Sequence, residues 1–453
     1  MLERELRRLV GDAGIADAAD PRFGRDATEA QALSGRPDAV VLPADVEQVA
    51  AVVAHCYAHD VAIVPRGGGS GFAGGAVPVS GGVVVDLARM TRVRSFDPLL
   101  WRMHAESGLR TSELRRIARE SGLVFPPDPG AAEQSQLGGN IATNAGGPHA
   151  FKYGVTGRWV TGLEAVIPPG EVIRVGGPLR KDVAGYDLGS LLIGSEGTLG
   201  IVTAAWLRLT PAPEATAPVI GFYESIRAGV AAVETVLGSG LLPAALEYLD
   251  AGALAAARDA YPFGVPDGAA FVVLTEADGS ASETAALAAQ LHEALGDGAL
   301  AVHAPATARE QAALWRWRDG VSIAVTAAHG GKVSEDIGVP LDRLAEAIEA
   351  TLAIGERHGL PACSWGHAGD GNLHSTFMID ARDGDQVERA VAAAAELFRT
   401  AAELGGTISG EHGVGWVKRG QLGAQWTPAT LALHRTIKRA IDPKGLMNPG
   451  KKT

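Results

Sequence analysis

The sequence predicts an α+β protein built from two main domains, and three observations lead to that prediction. The chain has 453 residues, enough for two to four domains of about 100–200 residues each. Its first half places three glycine-rich loops between short apolar runs that are typical of strands. Its second half alternates long amphipathic helical patterns with a few strands, which is typical of a mostly antiparallel sheet with helices covering one face.

The elements of the first half follow in order along the chain. Residues 1–35 predict an N-terminal helical segment, and residues 40–66 predict a strand, a helix and a strand, with Asp45 and Gln48 capping the helix. VVVDLARM predicts a further strand, residues 112–120 a helix, and LEAVIPP and EVIRV two strands. The segment 134–154 is too rich in glycine for regular structure. Prolines at 211, 213 and 218 mark a boundary, which gives a first domain over 36–212.

The second domain is predicted over residues 213–425. Helical patterns cover 226–238, 281–294, 341–358 and 385–404, and strands are expected at ALEYLD, at FVVLTEAD and before GHAGDGNLH. Thr427 and Pro428 predict the start of another helix, which Asp442-Pro443 ends. This C-terminal helix and its tail form a separate segment over 426–453.

Composition and charge exclude several classes of protein. The formal net charge is −12, which argues against a nucleic acid as partner because a phosphate backbone requires a basic face. No apolar run reaches the ~18 residues of a membrane span, and the N-terminus lacks the apolar core of a signal peptide. We therefore expect a cytoplasmic protein, with peripheral association at the inner membrane face left open. The chain has two cysteines, whereas an iron–sulfur cluster needs about four thiolates.

The first glycine loop, PRGGGSGFAGG, matches the pattern GxGxxG but fails its structural context. A Rossmann fingerprint needs a helix to begin at the loop, whereas the following AVPVSGGVVVDL is strand-like. No Walker A sequence occurs either. Consecutive glycines beside Arg66 can still turn several backbone N–H groups toward one anion. A plain turn explains one such loop equally well, but three loops favour one long nucleotide-type ligand that lies across them.

The motifs PRGGGSGFAGG, FPPDPG, GGNIATNAGG and GSEGTLGIVT closely resemble, in order and spacing, the flavin domain of the vanillyl-alcohol oxidase-type FAD-linked oxidases. The resemblance implies a two-subdomain FAD-binding domain. It implies that the pyrophosphate of FAD is held by Pro65, Arg66, Gly67, Gly68, Gly69, Ser70, Gly71 and Phe72. The ribityl and isoalloxazine path would be lined by Pro127, Asp128, Gly138, Gly139, Asn140, Thr143, Asn144, Gly146, Gly147 and Tyr153. The adenine and ribose end would lie beside Glu196, Gly197, Gly200, Ile201 and Val202. Members with covalent flavin carry His where this chain has Ser70, so we expect non-covalent FAD.

The second domain contains two glycine-bracketed motifs, GHAGDGNLH and SGEHGVG. Glycines break any helix between His367 and His374, so the first precedes a loop and the second lies on the following strand. Two histidines and one carboxylate make a divalent metal site with positions left open for a substrate. For any one of these histidines, a hydrogen-bonded core residue is the ordinary alternative. Three histidines and a glutamate in two such motifs favour a functional site.

These motifs match the C-terminal domain of the FAD-linked 2-hydroxy-acid dehydrogenases, which act on D-lactate, glycolate or D-2-hydroxyglutarate. The resemblance implies the metal ligands His367, His374 and Glu411, with zinc favoured over manganese or iron, and a catalytic base at His412. Arg318 and Lys332 resemble the residues that bind the substrate carboxylate, although a surface cation is the alternative for Arg318. Asn448 resembles the residue that closes over the flavin. The 2-hydroxyglutarate members follow the second metal histidine with Leu-Asn, whereas this chain has Ser375-Thr376, which weakens recognition of a second carboxylate.

We therefore expect an FAD-dependent dehydrogenase that transfers hydride from a D-2-hydroxy acid to flavin N5. Its reduced flavin would need an external acceptor, namely an electron-transfer flavoprotein, a quinone or an iron–sulfur subunit, since the chain lacks the cysteines for a cluster. A homodimer is an open expectation. Three alternatives remain: an FAD-linked oxidase of another alcohol, a metallohydrolase whose glycine loops bind a nucleotide, and a binding subunit without flavin chemistry.

Overall fold

The computed structural model describes residues 1–28 and 33–452. The predicted N-terminal segment 1–35 therefore includes four residues, 29–32, that lie outside the described part. The segment begins with the helix that its pattern predicts, α1 (Leu2–Val10), which buries Leu6 and Val10. The structure contains sheets of four, five and seven strands and one two-stranded pair among the described residues.

The four-stranded sheet is the first along the chain. Its elements after α1 are β1 (Ile15–Ala16), β2 (Ala39–Val41), α2 (Val46–Ala58), β3 (Ile63–Arg66) and β4 (Val83–Asp86). The strand order is β1-β2-β4-β3, in which β2, β4 and β3 are parallel and β1 is antiparallel. The predicted cap of α2 is present, because the Asp45 carboxylate accepts a hydrogen bond of 2.8 Å from the Gln48 backbone N–H.

The five-stranded antiparallel sheet comes next, in the order β5-β6-β10-β8-β9. The elements from this part of the chain are β5 (Val93–Asp97), β6 (Arg102–Glu106), α3 (Thr111–Glu120), β7 (Leu123–Val124), α4 (Leu137–Thr143), α5 (Ala150–Tyr153), β8 (Val160–Ile167), β9 (Glu171–Gly176), α6 (Leu188–Leu192), β10 (Ile201–Arg208) and β11 (Thr210–Pro211). The two short strands β7 and β11 pair with each other.

The expectation that residues 134–154 lack regular structure is wrong. Helices α4 and α5 lie in this segment despite its glycines. Leu137 and Ile141, one turn apart, are both buried in the core beneath the sheet, and their packing outweighs the low helix propensity of Gly138 and Gly139. Asn144, in the left-handed conformation at φ 55°, ends the helix.

The seven-stranded sheet forms the second half and is antiparallel throughout, in the order β15-β12-β14-β13-β17-β18-β16. Its strands are β12 (Ala215–Tyr223), β13 (Ala245–Asp250), β14 (Phe271–Gly279), β15 (Ala301–His303), β16 (Gly331–Gly338), β17 (Ala362–His367) and β18 (Asn372–Ile379). The helices in the same part of the chain are α7 (Ile226–Gly238), α8 (Ala251–Ala257), α9 (Ala281–Gly296), α10 (Ala308–Asp319), α11 (Val321–His329), α12 (Leu344–Arg357), α13 (Gly384–Glu403), α14 (Leu422–Gln425) and α15 (Pro428–Ile441).

Helices cover both faces of this sheet, whereas the sequence analysis expected one face. Helices α7, α9, α12 and α13 pack on one side, as predicted from their periodicity. Helices α8, α10 and α11 pack on the other, where Leu254, Leu314 and Val325 meet Phe222 and Leu274 of the strands. The second layer was not predicted because α8 is a short alanine-rich segment, and α10 carries three arginines and two tryptophans that obscure its apolar stripe.

The two halves are joined by direct contacts and by the returning C-terminal segment. The side chains of Lys152 and Tyr153 both bond to the Asp278 carboxylate of β14. Residues beyond α15 return to the first sheet, where Met447 lies beside Ile63 of β3 and the Asn448 backbone N–H donates to the Ile63 carbonyl at 2.7 Å.

The predicted domain boundary at residue 212 remains a prediction. None of the described helices combines the length and the apolar character that a bilayer span requires.

Leu314→Ala tests the second helix layer. Leu314 is fully buried against the sheet, so we expect its truncation to lower the free energy of unfolding by about 2–5 kcal/mol. The matched control is Ile323→Ala on the neighbouring helix, whose side chain is exposed and whose loss should change stability by less than about 0.5 kcal/mol. Thermal unfolding of both variants is the measurement, and equal midpoints for the two would contradict the packing of α10 described above.

Candidate active site

A cavity that is partly open to solvent lies where the three glycine-rich loops meet. Most of the residues that the resemblance assigns to FAD form its wall. These are Pro65, Arg66, Gly67, Gly68, Ser70, Gly71, Phe72, Gly138, Gly139, Asn140, Thr143, Gly146, Glu196, Gly197, Gly200, Ile201 and Val202. One long ligand could therefore touch all three loops.

Seven of the assigned residues lie outside this wall, namely Gly69, Pro127, Asp128, Asn144, Gly147, Tyr153 and Asn448. Several of them shape the loops. The Asn144 side-chain carbonyl accepts a 2.8 Å hydrogen bond from the Gly157 N–H, and the Asp128 carboxylate binds the His149 ring. The Asn448 amide donates to the Gly75 carbonyl at 3.0 Å and to the Glu196 carbonyl at 2.7 Å, so it ties the first loop to the third.

Four glycines in the cavity wall have no packing reason to be glycine. A Cβ built on Gly71, Gly75, Gly130 or Gly139 meets no atom within 4 Å, and none of the four has a positive φ. Gly139 even lies inside helix α4, where alanine would stabilise the helix by about 1 kcal/mol. These positions leave room for a ligand to approach the backbone closely.

The sequence analysis missed several residues of the same wall, among them Ser135, Gln136, Leu192 and Ser195. The buried side-chain oxygen Oε1 of Gln136 has no hydrogen-bond partner, which is costly unless a ligand supplies one. The glutamine just before GGNIATNAGG was the available signal. An orphaned polar atom and open glycines together fit a long polar ligand such as FAD.

A cluster of potential metal ligands adjoins this cavity. One ligand atom each from His367, His374 and Glu411 lies within 4.8 Å of the others. Both histidine Nε2 atoms point to the same carboxylate oxygen, with Nε2–Oε1 distances of 3.4 Å for His367 and 3.7 Å for His374. The strands β17 and β18 carry the two histidines on either side of a tight turn at Ala368–Asp370. Two imidazoles and one carboxylate are a donor set suited to a divalent cation.

A buried glutamate of strand β13 orients the first histidine. Glu247 Oε1 lies 2.7 Å from His367 Nδ1, which leaves Nε2 facing the cluster. Burial opposes protonation, but the carboxylates of Glu247 and Glu411 outweigh it and raise the pKa of His367 to about 10. Burial and the imidazoles of His412 and His367 lower the pKa of His374 well below its ordinary value. A cation at the cluster would take the place of the His367 proton.

His412 lies between the two regions of the site. Its ring is 4.7 Å from the Phe72 ring of the first glycine loop and stacks at 5.3 Å on His374. Glu411 and His412 both line the cavity. Their loop is held by Asp336, whose carboxylate accepts hydrogen bonds from the backbone N–H groups of both residues. The sequence analysis missed Glu247 and Asp336; for Glu247 the available signal was an acidic residue between the apolar residues Leu246 and Tyr248 of β13.

Arg318 and Lys332 do not line the cavity. The Arg318 guanidinium is buried and donates two hydrogen bonds to Glu247, with Nε at 2.9 Å. The Lys332 ammonium donates to the Ser322 carbonyl at 2.8 Å and lies 5.3 Å from the centre of the Trp365 ring. The surface-cation alternative for Arg318 is wrong, because Glu247 holds its side chain in the interior.

Comparison of the sequence with known proteins identifies matching family models and similar proteins. A family model described as an FAD binding domain matches residues 37–176, and one described as the C-terminal domain of FAD linked oxidases matches residues 212–452. The chain is 39% identical to the glycolate oxidase subunit GlcD of Bacillus subtilis, an alignment that covers 100% of this chain and 97% of that protein. It is 34% identical to the D-2-hydroxyglutarate dehydrogenase of Stutzerimonas stutzeri, with 99% and 97% covered.

A solved structure shares the architecture. The 4-ethylphenol oxidase of Gulosibacter chungangensis superposes with a TM-score of 0.81 at 20% identity, over 99% of this chain and 95% of that one. At this identity the likeness bears on the fold alone. Together with the FAD binding domain matched over residues 37–176, it confirms the predicted α+β fold with a flavin-binding domain of the vanillyl-alcohol oxidase type.

Gly139→Ala tests whether the open space at the cavity wall is a cofactor site. We expect the cofactor-free variant to be as stable as the parent or slightly more stable, because alanine favours the helix. Its affinity for FAD should fall about tenfold or more, since an added methyl group would occupy the ligand's space. Gly238→Ala, at an equally open glycine that ends α7 outside the cavity, is the control. FAD titration by fluorescence measures both, and unchanged affinity in Gly139→Ala would contradict the assignment.

Proposed function

The chain belongs to the family of FAD-linked oxidases that includes the glycolate oxidase subunit GlcD and the D-lactate and D-2-hydroxyglutarate dehydrogenases, and from this premise we propose that it is an FAD-dependent dehydrogenase of a small D-2-hydroxy acid. The reaction would yield the 2-oxo acid. One observation carries the proposal: Glu411 of the metal-ligand cluster and the adjacent His412 both open onto the cavity that fits FAD.

Non-covalent FAD would be held by the three glycine loops, with the pyrophosphate beside residues 65–72 and the adenine end beside residues 196–202. When bound, FAD supplies the acceptor for the hydride that leaves the substrate Cα. The chain would contribute the backbone N–H groups of these loops, which can bind an anion without a charged side chain. Ser70 occupies the position at which covalently flavinylated relatives carry histidine, which supports a dissociable cofactor.

His367, His374 and Glu411 would hold a divalent metal, with zinc favoured over manganese or iron because two imidazoles and a carboxylate leave a coordination position open. When bound, the metal supplies Lewis acidity toward the substrate hydroxyl. Glu247 fixes the tautomer of His367 by accepting the proton on Nδ1, so the ligand nitrogen is presented without rearrangement.

His412 would remove the hydroxyl proton of the substrate. An imidazole is a common general base near neutral pH, and this one is at the boundary between the cluster and the flavin cavity. Its Nδ1 lies 3.6 Å from Asp336 Oδ1, so a buried carboxylate stabilises the imidazolium that forms. Phe72 on one side and His374 on the other limit the rotation of the ring.

Arg318 and Lys332 would contribute the positive charge that attracts the substrate carboxylate. Arg318 also holds Glu247, so its role extends to the orientation of His367.

The residues after the second histidine, His374, support a small substrate. Ser375 and Thr376 are buried, and their hydroxyl groups bond to Thr351 and Ser334, each at 2.8 Å. Because both hydroxyl groups are already bonded within the protein, they offer no partner for a second carboxylate, and we propose glycolate or D-lactate as the substrate.

Reoxidation would need an external acceptor, such as an electron-transfer flavoprotein, a quinone or an iron–sulfur subunit. The two cysteines, Cys56 and Cys363, are buried in different halves of the chain and cannot hold a cluster. We also propose that residue 212 divides the two domains, because the flavin loops precede it and the metal-ligand cluster follows it.

His412→Asn is the decisive test of the proposed reaction. We expect the wild-type flavin to bleach rapidly under anaerobic conditions with D-lactate or glycolate. The variant should bleach ~10²–10⁴-fold more slowly, because asparagine cannot accept the proton. FAD content and metal content should be unchanged, since His412 is assigned to neither site as a ligand. The control is His292→Asn at an exposed histidine of α9. Bleaching of His412→Asn within a few-fold of wild type would remove His412 as the base, and no bleaching of the wild type by any D-2-hydroxy acid would refute the function.

The metal assignment has its own test. We expect His367→Ala and Glu411→Ala to lose bound metal and turnover while keeping FAD, because the cluster and the flavin loops belong to different halves. Glu247→Gln should keep the ligands but lower metal affinity about 10–100-fold, since it orients His367 from behind. Elemental analysis measures the bound metal, and the flavin absorbance measures the bound FAD. Full metal content in His367→Ala and Glu411→Ala would show that the metal lies elsewhere.

A further inference from the structure

Two loops at one end of the five-stranded sheet place apolar side chains in solvent. Residues 99–101 form the turn between β5 and β6, and residues 178–188 lead from β9 into α6. Among the described residues, fifteen large apolar side chains are exposed and seven of them lie here, whereas the rest are scattered over the molecule. The seven are Leu99, Leu100, Trp101, Leu179, Val183, Tyr186 and Leu188. Such clustering on a surface usually marks an interaction site.

The degree of exposure distinguishes these side chains from the rim of an ordinary pocket. Val183 is 98% exposed, Tyr186 95% and Leu99 86%, so they project from the surface. Trp101 is held at φ 54°, a conformation that is strained for a bulky residue and that persists where function requires it. Aliphatic side chains with a Trp and a Tyr on projecting loops are typical of segments that enter the interfacial region of a bilayer.

Positive charge accompanies the apolar side chains. The groove between the two loops is lined by Arg102, Arg158, Arg174, Arg180 and Arg208, against Asp182 and Asp187, with Lys181 exposed on the rim. Arg174 pairs with Glu164 and Arg102 with Asp97. The Arg180 guanidinium lies 5.4 Å from the centre of the Trp101 ring, and that of Arg208 lies 4.7 Å from Trp159. In a chain with a net charge of −12, this excess of cations is local and favours a negatively charged partner surface.

We propose that these two loops dock the protein on an anionic phospholipid bilayer, with the apolar tips in the interface and the arginines against the lipid phosphates. A bilayer with negative headgroups matches both components, because it offers apolar depth and negative charge in one surface. Docking would bring the cofactor cavity close to the membrane: Leu188 of helix α6 lines the groove, and Leu192 at the other end of the same short helix lines the cavity.

Co-sedimentation of the whole FAD-loaded protein with lipid vesicles tests the proposal. We expect binding to equimolar phosphatidylcholine and phosphatidylglycerol vesicles, little binding to pure phosphatidylcholine vesicles, and loss of binding as salt screens the cations. Arg180→Gln with Lys181→Gln should weaken binding about 30-fold. Trp101→Ser with Tyr186→Ser should weaken it about tenfold or more.

The matched controls are Ile323→Ser and Leu433→Ser, which remove exposed apolar side chains elsewhere and should bind like wild type. None of these residues belongs to the proposed active site, so dye-linked activity should be unchanged in every variant, and vesicle binding is measured without substrate. Absence of binding to anionic vesicles, or equal binding by the loop variants, would overturn the proposal. A loop variant that changed the oligomeric mass instead would assign the surface to a contact between copies and overturn it equally.

Discussion

The carboxylate of Asp336 is the constraint on which the geometry of the site depends. It is fully buried, and it binds the backbone N–H groups of Glu411 and His412, the Ser409 hydroxyl and the Lys418 ammonium. Burial would raise the pKa of Asp336, but Lys418 and the surrounding donors lower it, so the group stays charged. A buried charge without these partners would cost several kcal/mol. The loop therefore has one favourable arrangement, and that arrangement faces Glu411 and His412 toward the cavity.

The two halves of the chain meet at the same loop through contacts that tolerate little side-chain volume. A Cβ on Gly146 of the flavin half would lie 2.7 Å from Glu411 Oε2. The Glu196 carboxylate accepts hydrogen bonds from the backbone N–H groups of Val414 at 2.9 Å and Gly415 at 2.6 Å. The positions of the cavity and of the metal-ligand cluster are thus fixed relative to each other by contacts in which one partner is backbone.

Local sequence patterns predicted much of this architecture. They did not predict the contacts between residues that are far apart in the sequence. The cap of α2 and the long helices on one sheet face follow from residues within short segments, whereas the grouping of His367 and His374 with Glu411 was implied by the family resemblance of two separate motifs. Glu247 and Asp336 are buried acids in strands, and only the folded sheet brings them beside the histidine and the glycine loop that they hold. Gln136 likewise becomes recognisable only when its oxygen is found buried without a partner. The burial of Arg318 against Glu247 needed the second helix layer, which periodicity did not reveal.

The return of the C-terminal segment to the first sheet has a consequence for biosynthesis. Ile63 of β3 receives its outer neighbours from Leu446, Met447 and Asn448, and Asn448 joins the first glycine loop to the third. A nascent chain on the ribosome therefore exposes the edge of β3 and two unjoined loops until residue 448 has emerged from the exit tunnel. Assembly of the complete nucleotide cradle therefore waits for this segment, and chains truncated before it would present an open strand edge to chaperones and proteases.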